Sequence, residues 1–191
     1  MDIAANPFLW AAGGLFLLFV YVVATFNRIA RLKNHLRESW ADVDVALKRR
    51  YDLIPNLVET VKAYAAHEQQ LLTKITEART RAMAAPGLVE HAQQENEMVL
   101  GLNGLLARVE AYPNLKASES FQQLQMELVD TEDRIAAARR FYNANVRDFN
   151  SLLASFPSGL VAKVAGCVEA PFFEVQDLAV RLPVRITASN L

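Results

Sequence analysis

From Ile3 to Asn27 the chain carries no charged residue. Within that stretch, Pro7 to Phe26 reads PFLWAAGGLFLLFVYVVATF, twenty residues of which sixteen are apolar. At about 1.5 Å per residue, a helix of this length spans roughly 30 Å, the hydrocarbon core of a bilayer. Trp10 and Tyr21 stand near its two ends, where amphipathic rings favour the interface. A cleaved signal peptide needs a basic leader, a shorter apolar run and a small-residue cleavage site. Met1-Asp2-Ile3 holds no Lys or Arg. Residues 7–27 are therefore predicted to be an uncleaved membrane anchor, with 1–6 as a short extracytoplasmic N-terminus.

The flanks give an orientation. No Lys or Arg precedes the span, whereas Arg28, Arg31, Lys33 and Arg37 follow it closely. The positive-inside rule then places the N-terminus outside and the rest in the cytoplasm. A single cysteine, Cys167, fits a reducing compartment and excludes an internal disulfide framework. The whole chain is 52% hydrophobic with a net charge of -1, which argues against an electrostatic nucleic-acid binder. Setting the span aside brings the remainder into the ordinary globular range.

That remainder reads as helix, predicting an all-α chain. Ile29, Leu32, Leu36, Trp40, Val43 and Leu47 recur at spacings of three and four, one face of a first helix that continues the anchor without Pro or Gly. Pro55 is predicted to turn the chain at a tight corner, with a kink in a continuous helix as the alternative, because proline suits a helix's first turn and disfavours helix before it. A second helix then runs to about Ala84, and Pro86-Gly87 marks the next turn. A third, weakened by Gly101 and Gly104, extends to Pro113. The fourth has the strongest pattern: Phe121, Leu124, Leu128, Thr131, Ile135, Ala138, Tyr142, Asn145, Phe149, Leu152 and Phe156 form a coiled-coil-type seam. Thr131 and Asn145 are its polar members and candidates for fixing register. Pro157 ends it. Short connections imply an antiparallel up-and-down four-helix bundle over residues 28–156.

Residues 157–191 are predicted to be irregular, with a short helix possible near Leu160. Leu178, Val180, Leu182, Val184 and Ile186 alternate with other residues, a period-two pattern that reads as an extended tail interrupted by Pro183, either loosely packed or pairing as a strand with another chain.

No catalytic motif emerges. His67-Glu68 is followed by Leu71 where a zinc-peptidase helix needs its second histidine. There is no phosphate-binding loop and no nucleophile elbow. His35, His67 and His91 fall on separate predicted helices and read as surface or flanking residues. Glu68, Glu77, Glu95, Glu97, Glu127, Glu132 and Asp133 lack the Glu-x-x-His pairs of a di-metal bundle, so they read as solvated faces. Lys48-Arg49-Arg50 reads as a salt-bridged bundle end. No cofactor, metal or small-molecule substrate is expected. Arg140, Asn143, Arg147, Asp148 and Asn150 form a polar patch on the fourth helix, either a structural network or a surface for a membrane or cytoplasmic partner.

Two long motifs, RRYDLIPNLVETVKAYAAHE (Arg49 to Glu68) and RRFYNANVRDFNSLLASFPSGLVA (Arg139 to Ala162), with PFFEV (Pro171 to Val175), resemble the LemA family. The resemblance covers about residues 5 to 175. It implies a bundle anchored in the bacterial inner membrane, N-terminus out and C-terminus in, with no established enzymatic activity. The function expected on these grounds is a non-catalytic scaffold that self-associates at the bilayer. The alternative is an accessory regulator of an envelope signalling or stress system, binding its partner through the last long helix.

Overall fold

A computed structural model of the chain describes residues 7–175. The predicted all-α class is what it shows: α1 (Pro7–Tyr64), a 3-10 turn (Ala66–Glu68), α2 (Gln69–Ala84), α3 (Leu88–Val109), the short α4 (Pro113–Lys116), α5 (Glu119–Ala154) and α6 (Ser158–Val164). The described residues divide into two compact units, residues 7–40 with 141–172, and 41–140 with 173–175. The alternating positions Leu178, Val180, Leu182, Val184 and Ile186 lie outside the described residues.

In the unit of residues 41–140 and 173–175, four helical segments enclose an apolar core. The stripe read from α1 continues beyond Leu47 through Arg50, Ile54, Leu57 and Val61, all buried. Leu72, Ile75, Ala78 and Ala82 of α2, Met98, Val99, Leu102 and Leu105 of α3, and Phe121, Leu128 and Ile135 of α5 complete the core. The α2–α3 pair is antiparallel and tight. A methyl group added at Gly101 would stand 3.1 Å from Ile75 Cγ1, and one at Gly104 would stand 3.8 Å from Leu71 Cδ1. The absent side chain at Gly101 is thus what lets α2 approach this closely.

The corner expected at Pro55 is not there. Pro55 lies inside α1, which runs on to Tyr64. A proline within a helix removes one N–H donor and strands the carbonyl four residues back, here that of Tyr51. Arg79 of α2 supplies the missing donor, its Nε–H reaching that oxygen at 2.6 Å. The turn falls instead at Ala65, a buried residue with φ -130° and ψ 59°. No Pro or Gly marks it. Glu68 fastens this corner to the end of α3, accepting from Tyr112 Oη at 3.3 Å beside Arg108 at 3.8 Å. The Pro86-Gly87 turn separates α2 from α3, Pro113 opens α4, and Pro157 follows the end of α5.

In the unit of residues 7–40 and 141–172, Ile29, Phe149, Leu152 and Ala162 form a small core, flanked by Leu32, Leu36, Leu153, Val161, Cys167 and Ala170. Trp40 meets Tyr142 edge to face at a centroid distance of 5.5 Å. Every residue from Phe8 to Ala24 is exposed, and Thr25 is buried at the end of the run. Helix α6 is closed by Gly166, whose φ of +64° suits glycine. Gly166 N donates to Lys163 O and Cys167 N to Ala162 O, the paired bonds of a Schellman end. The chain then passes along α5, where the Asn150 amide both donates to and accepts from the backbone of Ala170, each at 2.9 Å. Tyr142 Oη donates to Pro171 O at 3.2 Å.

Candidate functional site

The densest polar constellation is inside the core of the 41–140 unit. Arg50 occupies a stripe position of α1, three residues after Leu47 and four before Ile54, and is fully buried. Its Nη2 donates to Glu95 Oε2 of α3. Its Nη1 donates to both carboxylate oxygens of Glu132 on α5, at 2.9 and 3.1 Å. Tyr51 Oη donates to Glu95 Oε1. Because that proton is committed, the phenol oxygen is the acceptor toward His91 Nε2, 2.9 Å away. One guanidinium therefore joins three helices.

The carboxylates Glu95 and Glu132, predicted to be solvated, are enclosed: Glu95 has no exposed surface and the Glu132 side chain only 12%. Arg50 is not an exposed bundle end, and His91 is mostly covered, with 12% of its side chain accessible. The physical reason is mutual. A buried charge is tolerated when it is paired and hydrogen-bonded, and each member of this cluster supplies that for another. The signal was present in the sequence as ionisable residues at apolar stripe positions, Arg50 on α1 and Glu95 between Ala92 and Val99 on α3.

Electrostatics hold the cluster in one protonation pattern. Burial works against a charge on Arg50, but Glu95 and Glu132 outweigh it and raise its pKa above the ordinary value. Burial alone would raise the Glu95 pKa, yet hydrogen bonds from His91 and Tyr51 and the charge of Arg50 bring it below the usual carboxylate range. Burial, reinforced by the Glu95 charge, pushes the Tyr51 phenol well above its normal pKa. Near neutral pH the carboxylate is thus ionised with its lone pairs engaged, and the phenol keeps its proton. A general base needs a pKa near the working pH and a free lone pair. This arrangement holds charge in place instead of passing protons.

The PFFEV segment closes over the same cluster. Phe173, fully buried, meets the His91 ring edge to face at 6.1 Å. Arg139 donates to Val175 O, and Asn96 Nδ2 to Glu174 O at 3.4 Å. Surface clefts of about 370 Å³ (Val58, Lys62, Gln69, Leu72, Thr73, Thr76, Glu77) and 380 Å³ (His67, Glu68, Gln70, Leu71, Lys74, Gly104, Arg108) contain no member of the cluster. Among the described residues, no group of three or more His, Cys, Asp and Glu side chains is placed to hold a metal ion.

The other singled-out residues divide clearly. Of the seam, Phe121, Leu128, Ile135, Tyr142, Phe149 and Leu152 are buried, Leu124 and Asn145 are half-buried, and Phe156 is 86% exposed. Thr131 satisfies its hydroxyl on Glu127 O of its own helix at 2.7 Å. The Asn145 amide nitrogen is enclosed without a hydrogen-bond partner among the described residues. In the polar patch Arg140, Arg147 and Asp148 are exposed and Asn143 is half-buried. Asn150 is committed to Ala170, so it serves the chain's own C-terminal segment and is not free to receive a partner. Trp10 and Phe26 in the apolar run and Arg28 and Arg31 after it are exposed, and Tyr21 lines a cleft with Arg28.

Comparison with known proteins gives a consistent set of relatives. The family model described as the LemA family matches residues 39–187. The chain is 27% identical over 161 residues to Protein LemA of Metamycoplasma hominis, covering 84% of this chain and 73% of that protein. It is 24% identical over 175 residues to Magnetosome protein MamQ 2 of Paramagnetospirillum magneticum, covering 78% of this chain and 64% of the relative. Magnetosome protein MamQ of Magnetospirillum gryphiswaldense is 22% identical over 174 residues with the same coverage, so the chain spans less than two thirds of these magnetosome relatives.

Proposed function

We propose that this chain, which belongs to the LemA family, is a non-catalytic scaffold anchored in a membrane by the first part of α1 and self-associating there. The observation that carries the reading is the continuity of α1. One helix from Pro7 to Tyr64 contains both the exposed apolar run and a helix of the bundle core, with no loop between. An apolar helix run exposed over most of its length is suited to a lipid environment or to other helices.

The polar chemistry supports the non-catalytic part. The charges best placed for reaction are buried against each other and covered by Phe173. The magnetosome names of two relatives accord with a role at a membrane-bounded structure. The charge step from Asp2 to Arg28, Arg31, Lys33 and Arg37 supports an N-out, C-in orientation. The α5 seam is largely spent inside the chain, so self-association is assigned to the exposed apolar run and not to that seam.

Cross-linking of the full chain in native membranes, with sizing in mild detergent, tests the proposal. Discrete cross-linked species that disappear when the anchor is removed are expected. A monomer under both conditions would reject self-association. Protease protection of an N-terminal tag in spheroplasts would reject the orientation.

A further inference from the structure

We propose that the hairpin formed by the end of α5 and α6 lies in the membrane interface, with Phe156, Leu160 and Val164 inserted among the lipids; this rests on the reading of residues 7–26 as a membrane span. Phe156 is 86% exposed, Leu160 59% and Val164 92%. Leu160 and Val164, four residues apart, share one side of α6, and Phe156 stands in the turn that leads into it. The opposite side carries Ser158 and Ala162, both buried, with Ala162 packed against Ile29, Phe149 and Leu152. A short helix with a buried small-residue face and a bare large-residue face has turned its apolar side away from its own core. Val168, in the segment after Gly166, is also exposed, at 80%.

What identifies the occupant as lipid is position. A cleft of about 510 Å³ is lined by Tyr21, Thr25, Arg28 and Leu32 of α1 and, from the other wall, by Asp148, Ser151, Leu152, Ser155, Phe156 and Ser158. Tyr21 and Thr25 belong to the last two turns of the apolar run, which ends at Phe26. Phe156 therefore lines the same cleft as the final turns of the span. Five residues of helical rise from Phe26 back to Tyr21 are about 7.5 Å. Amphipathic interfacial helices bury their apolar face about 5–10 Å into the headgroup and acyl boundary. Arg28 in the cleft wall and the exposed Lys163 on α6 supply the flanking cations that suit anionic headgroups.

The test uses the full chain with Cys167→Ala, reconstituted in phosphatidylcholine–phosphatidylglycerol vesicles. An environment-sensitive fluorophore is attached at Phe156→Cys, Val164→Cys or Val168→Cys, positions whose exposure leaves the packing intact. Leu17→Cys in mid-span and Met126→Cys on the bundle surface are the references. Nitroxide lipids labelled high or low on the acyl chain act as quenchers. The expected result is strong quenching at positions 156, 164 and 168 by the shallow nitroxide, at position 17 by the deep one, and none at 126. Quenching at 17 without quenching at 156, 164 and 168 would overturn the interfacial hairpin and leave the anchor standing, a pattern that a second copy covering α6 would also produce. No quenching at 17 would overturn the anchor and the hairpin with it.

Discussion

Arg79 Nε donates to the carbonyl oxygen of Tyr51 at 2.6 Å, the oxygen that Pro55 deprives of its helical donor. The proline is tolerated in mid-helix because a second helix repairs the break. Removing one partner of a buried hydrogen bond costs about 1–3 kcal/mol. Arg79→Met is expected to lower stability by about that amount. In a Pro55→Ala background the helix supplies its own N–H, and Arg79→Met then costs much less. A double-mutant cycle by urea denaturation measures the difference. Equal costs in both backgrounds would show that Arg79 acts elsewhere.

Arg50→Met leaves Glu95 and Glu132 facing each other's charge in the core. Breaking a buried pair from one side costs roughly 3–5 kcal/mol. Replacing all three together, as Arg50→Met with Glu95→Gln and Glu132→Leu, removes the uncompensated charge and is expected to recover most of that loss. Thermal denaturation of the single and triple variants decides. A triple variant no better than Arg50→Met would mean that the cluster contributes more than charge balance.

Glu95 makes stability depend on acid. Its folded pKa is lowered, so the folded state binds its proton less readily than the unfolded chain does. The contribution is therefore present above the unfolded value of about 4.3 and is lost as pH falls through the folded one. Tyr51 acts at the other end. Its raised pKa gives stability present below about pH 10 and lost as pH climbs toward the folded value. Chemical denaturation between pH 2 and 5 should show a steeper loss for the native chain than for Glu95→Gln. Identical slopes would remove Glu95 from the account.

Gly101 and Gly104 separate tight packing from open packing on one helix. Glycine costs about 1 kcal/mol relative to alanine in a helix interior. Gly104→Ala meets Leu71 at ordinary contact distance and should gain up to about that much. Gly101→Ala is pressed against Ile75 at 3.1 Å and should gain less or lose. Melting temperatures of the two variants, taken side by side, test the ranking.

Asn150 clamps Ala170 through both its amide atoms. Asn150→Ala is expected to raise hydrogen exchange at residues 165–172 while leaving the Ile29–Phe149 core protected. Arg147→Ala, at an exposed position of the same helix, should leave that exchange unchanged. Loss of a co-purifying protein with Arg147→Ala alone would favour the regulator reading over the scaffold.

Local pattern carried much of the fold. The uncharged run before Arg28, the three-and-four spacing from Ile29 to Leu47, and the Pro86-Gly87 and Pro157 stops are all signals written within a few residues of the feature they specify. So the all-α class and most helix ends were legible. Pro55 and Ala65 were not. Proline's local preference said corner, and nothing local marks Ala65. The same limit applies to Arg50, Glu95 and Glu132, whose residue types favour water when each is considered alone.

The sequence by itself determined which segments are helical and which stretch is long and apolar enough to cross a membrane, because backbone propensity and hydrophobic periodicity act over short range. The tertiary structure decided that α1 passes through Pro55, that the chain turns at Ala65, and that Arg50 is buried between two carboxylates. Each depends on a donor or a counter-charge from another helix, 28 residues away for Arg79, 45 for Glu95 and 82 for Glu132. Desolvating those groups is unfavourable until the partners meet, and only the packed bundle brings them together.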